Sequence, residues 1–243
     1  MPCKRHFFVA LRQVVPEALS MNFLSHYYLD RGVTDCYHIL GIVLPDLLKN
    51  ADKTIVLHPE KLHHTKNKVN SIITGWNKHL EVDRHFHSSE FFKTHSHQLK
   101  KMLLPAMEGS HVKPFFLGHI AVELILDSLL ITTGKIKVDG FYDHLNGCED
   151  DIIREFFYAA GLEEGDFFFR YLEKFKRDRY LHTYAEIPQI AYALKRICMR
   201  IWQTPFTAEQ ENQMTGILAG YYTTLLPDYM LIFNAIGEKL ADK

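Results

Sequence analysis

The chain has only four cysteines in 243 residues, Cys3, Cys36, Cys148 and Cys198, and no CxxC pair. Scattered thiols argue against a disulfide framework or a thiolate zinc site, and fit a reducing compartment. Strand signals are nearly absent, because apolar and polar residues almost nowhere alternate. No apolar stretch reaches the roughly 18 uncharged residues that a membrane span requires. Asp46 interrupts HILGIVLPDLL, and Glu123 and Asp127 interrupt the other long candidate. A secretory leader is poorly supported, since Arg12 and Gln13 break the short apolar run after the basic pair Lys4 and Arg5. Charge of either sign is not in excess: a formal net charge of −1 argues against nucleic acid held by bulk electrostatics and leaves partners to local patches. There is no solenoid repeat and no low-complexity tract. These absences lead us to expect a cytoplasmic globular protein with no membrane span and no nucleic-acid scaffold.

What the sequence does have is helical periodicity and histidine. Apolar residues recur at helical spacing, as in Phe115, Phe116, Ile120 and Leu124, so the expected fold class is all-α. Expected helices run over 22–30, 35–48, 68–86, 88–107, 113–132, 148–160, 163–176, 185–203 and 208–236, the last broken near Pro227. Asp35 is a suitable N-cap for the second, and Ser88 for a fresh helix after a bend. The stretch GKIKVDGFYDHLNG, with glycines at both ends, reads as a polar loop between a front part rich in clustered ligands and a back part poor in them. Aromatic residues on both sides favour one continuous core. The expected division is a peripheral extension over 1–20 and a single domain over 21–243, its motifs within 21–133 and its helical C-terminal part within 148–241.

Fifteen histidines is a high count for this length. His58, His63, His64, His95, His97 and His111 lie in polar surroundings and read as solvated. Two groups differ. His79, Asp83 and His87 recur every four residues, as do His119, Glu123 and Asp127. On a helix such residues form one stripe. Glu123 and Asp127 stand among Val122, Leu124, Ile125, Leu126, Leu129 and Leu130, where a buried pair of carboxylates is costly without a cation or a donor. The competing reading places both stripes on solvent-facing helix surfaces. Two facing stripes would make a cage of nitrogen and oxygen ligands suited to manganese, iron or zinc. Asp46, after Pro45, can cap a turn or supply a bridging carboxylate; His26 can be a core histidine or part of the site.

These residues resemble a known family. The acyl carrier protein phosphodiesterases, in the HD-domain-like group of helical metal-dependent phosphohydrolases, open Met-Asn-Phe-Leu-Ala-His. They continue to a Leu-Ala-Asp segment, then Gly-xxx-His-xxx-Asp, then two carboxylates four apart. The corresponding positions here are Met21 to His26, Leu44-Pro45-Asp46, Gly75-xxx-His79-xxx-Asp83 and Glu123-xxx-Asp127. The likeness covers about residues 21–130, and the order of the motifs is more specific than any one of them.

The resemblance implies an HD-domain-like multi-helix bundle with additional C-terminal helices. It also implies a metal centre, with manganese as the expected ion and iron or zinc as alternatives, near His26, Asp46, His79, Asp83, Glu123 and Asp127. The implied reaction is hydrolysis of the phosphodiester between 4′-phosphopantetheine and a serine of holo acyl carrier protein, a step of lipid metabolism. His79, Asp83, His119, Glu123 and Asp127 are the expected metal ligands or their immediate neighbours. Asp46, His26 and His87 are the expected catalytic groups. Because carrier proteins are acidic, a basic rim is expected from Lys61, Lys66, Lys68, Lys78 and Arg84. This chain departs from the pattern at His87, where the family has an aspartate, at Ser128, where it has a histidine, and at His119, which the pattern lacks. These changes leave another phosphodiester, such as a phospholipid head group or a nucleotide, as an alternative substrate, and a non-catalytic helical binding module as an alternative role. Since family members begin at the position of Met21, the first twenty residues are expected to come from an upstream start.

Overall fold

Nineteen consecutive residues, Pro114–Thr132, form a helix that is apolar on every side, and its place at the centre follows from that composition. A helix without a polar face must be covered all round. In the computed structural model, which describes residues 23–242, it is packed by helices from both halves of the chain. The expectations about residues 1–20 and a start at Met21 lie outside the described residues. By length and composition this central helix could cross a membrane, and 78% of its apolar window is buried inside the fold. Glu123, Asp127 and Ser128 lie on it, fully buried.

The described residues form twelve α-helices and two short 3-10 turns, with no strand. The fold class is therefore all-α. In order, the helices are α1 (Phe23–Leu29), α2 (Cys36–Gly41), α3 (Leu44–Ala51), α4 (Asn67–Ser88), α5 (Glu90–Ala106) and the central α6 (Pro114–Thr132). These are followed by α7 (Val138–Asn146), α8 (Asp150–Ala159), α9 (Asp166–Asp178), α10 (Ile187–Cys198), α11 (Ala208–Leu225) and α12 (Met230–Ala241). Buried apolar residues from Phe23 to Ile236 join in one cluster.

Local chemistry explains most boundaries. The Asp35 carboxylate accepts from the N–H groups of Tyr37 and His38 and caps α2 as expected. The cap of α5 is Ser89, one residue beyond Ser88, with its hydroxyl accepting from Phe92 N–H. Two expectations fail. The single helix over 35–48 is two helices, because Pro45 has no N–H to continue the first and sits instead in the opening turn of α3. The stretch expected as a loop contains α7, which buries Val138, Phe141, Tyr142 and Leu145, an i, i+3, i+4, i+7 pattern hidden by the flanking glycines.

The contact that matters most for the site is between α2 and α4. A Cβ on Gly75 would lie 2.2 Å from the carbonyl oxygen of His38, and one on Gly41 would lie 2.3 Å from that of Ile72. The two backbones therefore touch, and the C-terminal end of α2 rests against the turn of α4 that precedes His79. Gly118 acts similarly between α6 and α5, where an added Cβ would lie 2.5 Å from the Ser96 carbonyl oxygen.

Gly75→Ala should therefore force α2 off α4 and destabilise the protein by at least about 2 kcal/mol in urea denaturation. Gly216→Ala, in α11 where an added Cβ meets nothing within 4 Å, should stabilise it slightly. Equal effects of the two substitutions would refute the backbone-contact argument.

Candidate metal centre

His79 is buried on α4, and its Nδ1 lies 2.9 Å from the carbonyl oxygen of Ile42, just past the end of α2. A carbonyl only accepts, so the ring proton sits on Nδ1 and Nε2 carries a lone pair. That Nε2 lies 3.5 Å from Asp83 Oδ2 and 4.0 Å from Asp46 Oδ1. Burial and the neighbouring His26 push the His79 pKa down to about 3, so the ring is neutral near pH 7. A lone pair thus faces two carboxylates, an arrangement that a cation resolves.

His26 completes the group. It comes from α1, stacks on His79 with ring centroids 4.2 Å apart, and places Nε2 3.2 Å from Asp83 Oδ1. Burial alone would raise the Asp83 pKa, but the imidazoles of His79, His26 and His87 outweigh it and hold the carboxyl below its usual range. His26, His79 and Asp83 offer ligand atoms within 4.8 Å of one another. With metal–ligand bonds of about 2.1 Å, neighbouring ligand atoms stand roughly 3.0–3.4 Å apart, close to the separations here.

A second group forms across α4 and α6. His87 Nε2 and His119 Nε2 each lie 3.1 Å from Glu123 Oε1. Burial opposes ionisation of Glu123, yet its contacts with His119 and His87 prevail and lower its pKa. His87 is shifted upward, the Glu123 contact overcoming the effect of burial.

Asp127 belongs to neither group. Its Oδ1 accepts from the Ser25 N–H at 2.8 Å and the Ser25 hydroxyl at 2.6 Å, and its Oδ2 accepts from the Leu24 N–H at 3.1 Å. Burial raises its pKa to about 7 against those donors. The carboxylate satisfies the start of α1 and so fixes the segment that carries His26.

Both groups open on one pocket of about 590 Å³, lined by His79, Asp83, His87 and His119. His26 and Asp46 lie behind this surface, buried. Apolar residues also line the pocket, Ile55, Val56 and Leu57 from the segment after α3 and Trp76, Leu80 and Phe92 from α4 and α5, together with the acidic Glu60. Lys49, three residues after Asp46 on α3, lines it and was missed by the sequence reading, although its i, i+3 spacing from Asp46 was a usable signal. His58, expected to be solvated, stands exposed on this wall. The expected basic rim is altered: Lys66 pairs with Glu155, Lys68 with Glu149 and Arg84 with Glu81. The back half, which no motif matched, packs beneath the site. Here α9 lies on α3 and the 3-10 turn Tyr180–Ala185 lies on α6, and the half-buried Tyr171 and the buried Tyr184 feel Asp46 and Asp127 respectively.

No family model, curated protein or solved structure matches the chain. The described residues hold two groups of histidine and carboxylate that could bind metal.

Linkage gives a test on metal-free protein. His87 holds its proton more tightly when folded, so its contribution is complete below pH 6.5 and is lost as pH rises through the raised value. Glu123 loses its proton more readily when folded, so its contribution is complete above pH 4.5 and is lost as pH falls through the lowered value. Glu123→Gln should therefore lower the melting temperature more at about pH 5.5 than at about pH 9, and an equal drop at both would contradict the pairing.

Proposed function

We propose that this chain is a metal-dependent phosphodiester hydrolase of the HD-domain-like kind. The observation that carries this reading is the convergence of the His79 lone pair, Asp83 and Asp46 at the floor of a pocket. His26, His79 and Asp83 would hold the ion, with Asp46 as the further carboxylate. A divalent ion bound there supplies a Lewis acid for the phosphoryl oxygens and lowers the pKa of its water.

The chain's own groups prepare that chemistry. Ile42 fixes the tautomer of His79, and Asp127 fixes the start of the helix that carries His26. Lys49 offers positive charge on the pocket wall to a phosphate. Leu57, Trp76 and Leu80 line the same pocket and offer apolar surface to the bound ester. Nitrogen and oxygen donors without thiolate suit manganese, iron or zinc.

The substrate we favour is holo acyl carrier protein, cleaved to release 4′-phosphopantetheine; this choice follows the succession of motifs from Met21 to Asp127. The second reading keeps the chemistry and changes the ester. Val56 is 71% exposed and Leu80 39% exposed at the pocket wall, which favours a phosphodiester bearing an apolar arm, such as a phospholipid.

Manganese-loaded protein should release phosphopantetheine from holo carrier protein, read by intact mass, and Asp83→Asn should slow release on the order of 100-fold. Unchanged carrier protein with metal verified in the sample would overturn that substrate. Turnover of a phospholipid instead would select the second reading.

A further inference from the structure

The pairing of His87, His119 and Glu123 has more ligand capacity than a salt bridge uses. His87 Nδ1 lies 3.0 Å from the carbonyl oxygen of Asp83, so this nitrogen donates there and the neutral ring keeps its lone pair on Nε2. That lone pair faces Glu123 Oε1 at 3.1 Å, and His119 Nε2 approaches the same oxygen at the same distance. Glu123 is fully buried in an apolar helix, and its other oxygen, Oε2, has no hydrogen-bond partner among the described residues. Protonating one imidazole would serve Oε1 and leave Oε2 unserved. A cation held by the three side chains would engage both ring nitrogens and Oε1 and set positive charge on the carboxylate whose Oε2 has no donor.

The rings are held for this purpose. The edges and faces of Phe92 meet both imidazoles, with centroids 5.0 Å from His87 and 4.7 Å from His119, and the two imidazoles lie 5.0 Å apart and nearly parallel. Gly118 lets α6 seat closely on α5, which sets His119 at this position. The imidazole side chains are 30% and 26% exposed and both line the pocket, while His119 Nε2 itself is buried, so the group lies in the pocket wall.

We propose that His87, His119 and Glu123 form a second divalent-cation site, separate from His26, His79 and Asp83 and facing the same pocket. Two imidazoles and one carboxylate select a borderline ion such as zinc or iron(II) over magnesium or calcium. The two groups are joined through Asp83, which gives its side chain to one and its backbone carbonyl to the orientation of the other. Asp83 and His87 are one helical turn apart, a rise of about 6 Å, and both line the same pocket. The catalytic use of this second ion rests on the phosphodiesterase reading, whereas its binding does not.

The test is zinc stoichiometry. Protein stripped with chelator, dialysed against zinc and measured by elemental mass spectrometry should hold two equivalents. His119→Asn and Glu123→Gln should each hold one, Asp83→Asn should hold one, and His119→Asn combined with Asp83→Asn should hold none. His119 is partly exposed, so its variant should fold even where the buried Glu123→Gln does not, as circular dichroism will show. Cobalt(II) titration should reach its ligand-field absorbance in two steps in the wild type and one step in His119→Asn. One equivalent in the wild type, retained by both His119→Asn and Glu123→Gln, would overturn the second site and leave the first reading intact. No bound zinc at all would overturn both.

Discussion

One hydrogen bond organises the site: the N–H of His79 Nδ1 donates to the carbonyl of Ile42. It decides which ring nitrogen keeps a lone pair, and that nitrogen points at Asp83 and Asp46. With His79 neutral and Asp83 ionised beside His26, the interior gathers ring nitrogens and carboxylate oxygens that a cation would draw together.

Close packing of α2 on α4 positions that bond. Gly41 and Gly75 bring two helix backbones into contact so that the end of α2 lies over the next turn of α4. The glycine four residues before His79 is thus explained by sterics, since any side chain there would meet the His38 carbonyl. Asp127 works at a distance, placing α1 and with it His26 through three hydrogen bonds. The back half supports the same centre from below, where α9 braces α3 and its Asp46.

The helical class, the cap at Asp35 and the buried carboxylates of α6 were legible because periodicity and local chemistry suffice for them. The grouping of ligands was only half legible. Each four-residue step on a helix falls about 40° out of register, so residues eight apart differ by about 80°. His79 and Asp83 therefore face His26 while His87 turns towards α6, and His119 and Glu123 face His87 while Asp127 turns towards α1. A stripe that looks continuous in the sequence divides into two groups of candidate ligands and a helix cap. Which residues meet across helices, His26 with His79 and His87 with Glu123, depends on packing that no single helix encodes. The helix α7 was hidden for a different reason, since its flanking glycines resemble those of a loop while its buried apolar face is only four residues.

The central claim is that the nitrogen of His79 facing Asp83 and Asp46 is a metal ligand. Anomalous diffraction from crystals grown with zinc, recorded above and below the absorption edge, tests it most directly. The account predicts a zinc peak about 2.1 Å from His79 Nε2 and bonded also to Asp83. Density showing no anomalous scatterer there, with His79 Nε2 hydrogen-bonded to water or to a protonated carboxyl, would contradict it.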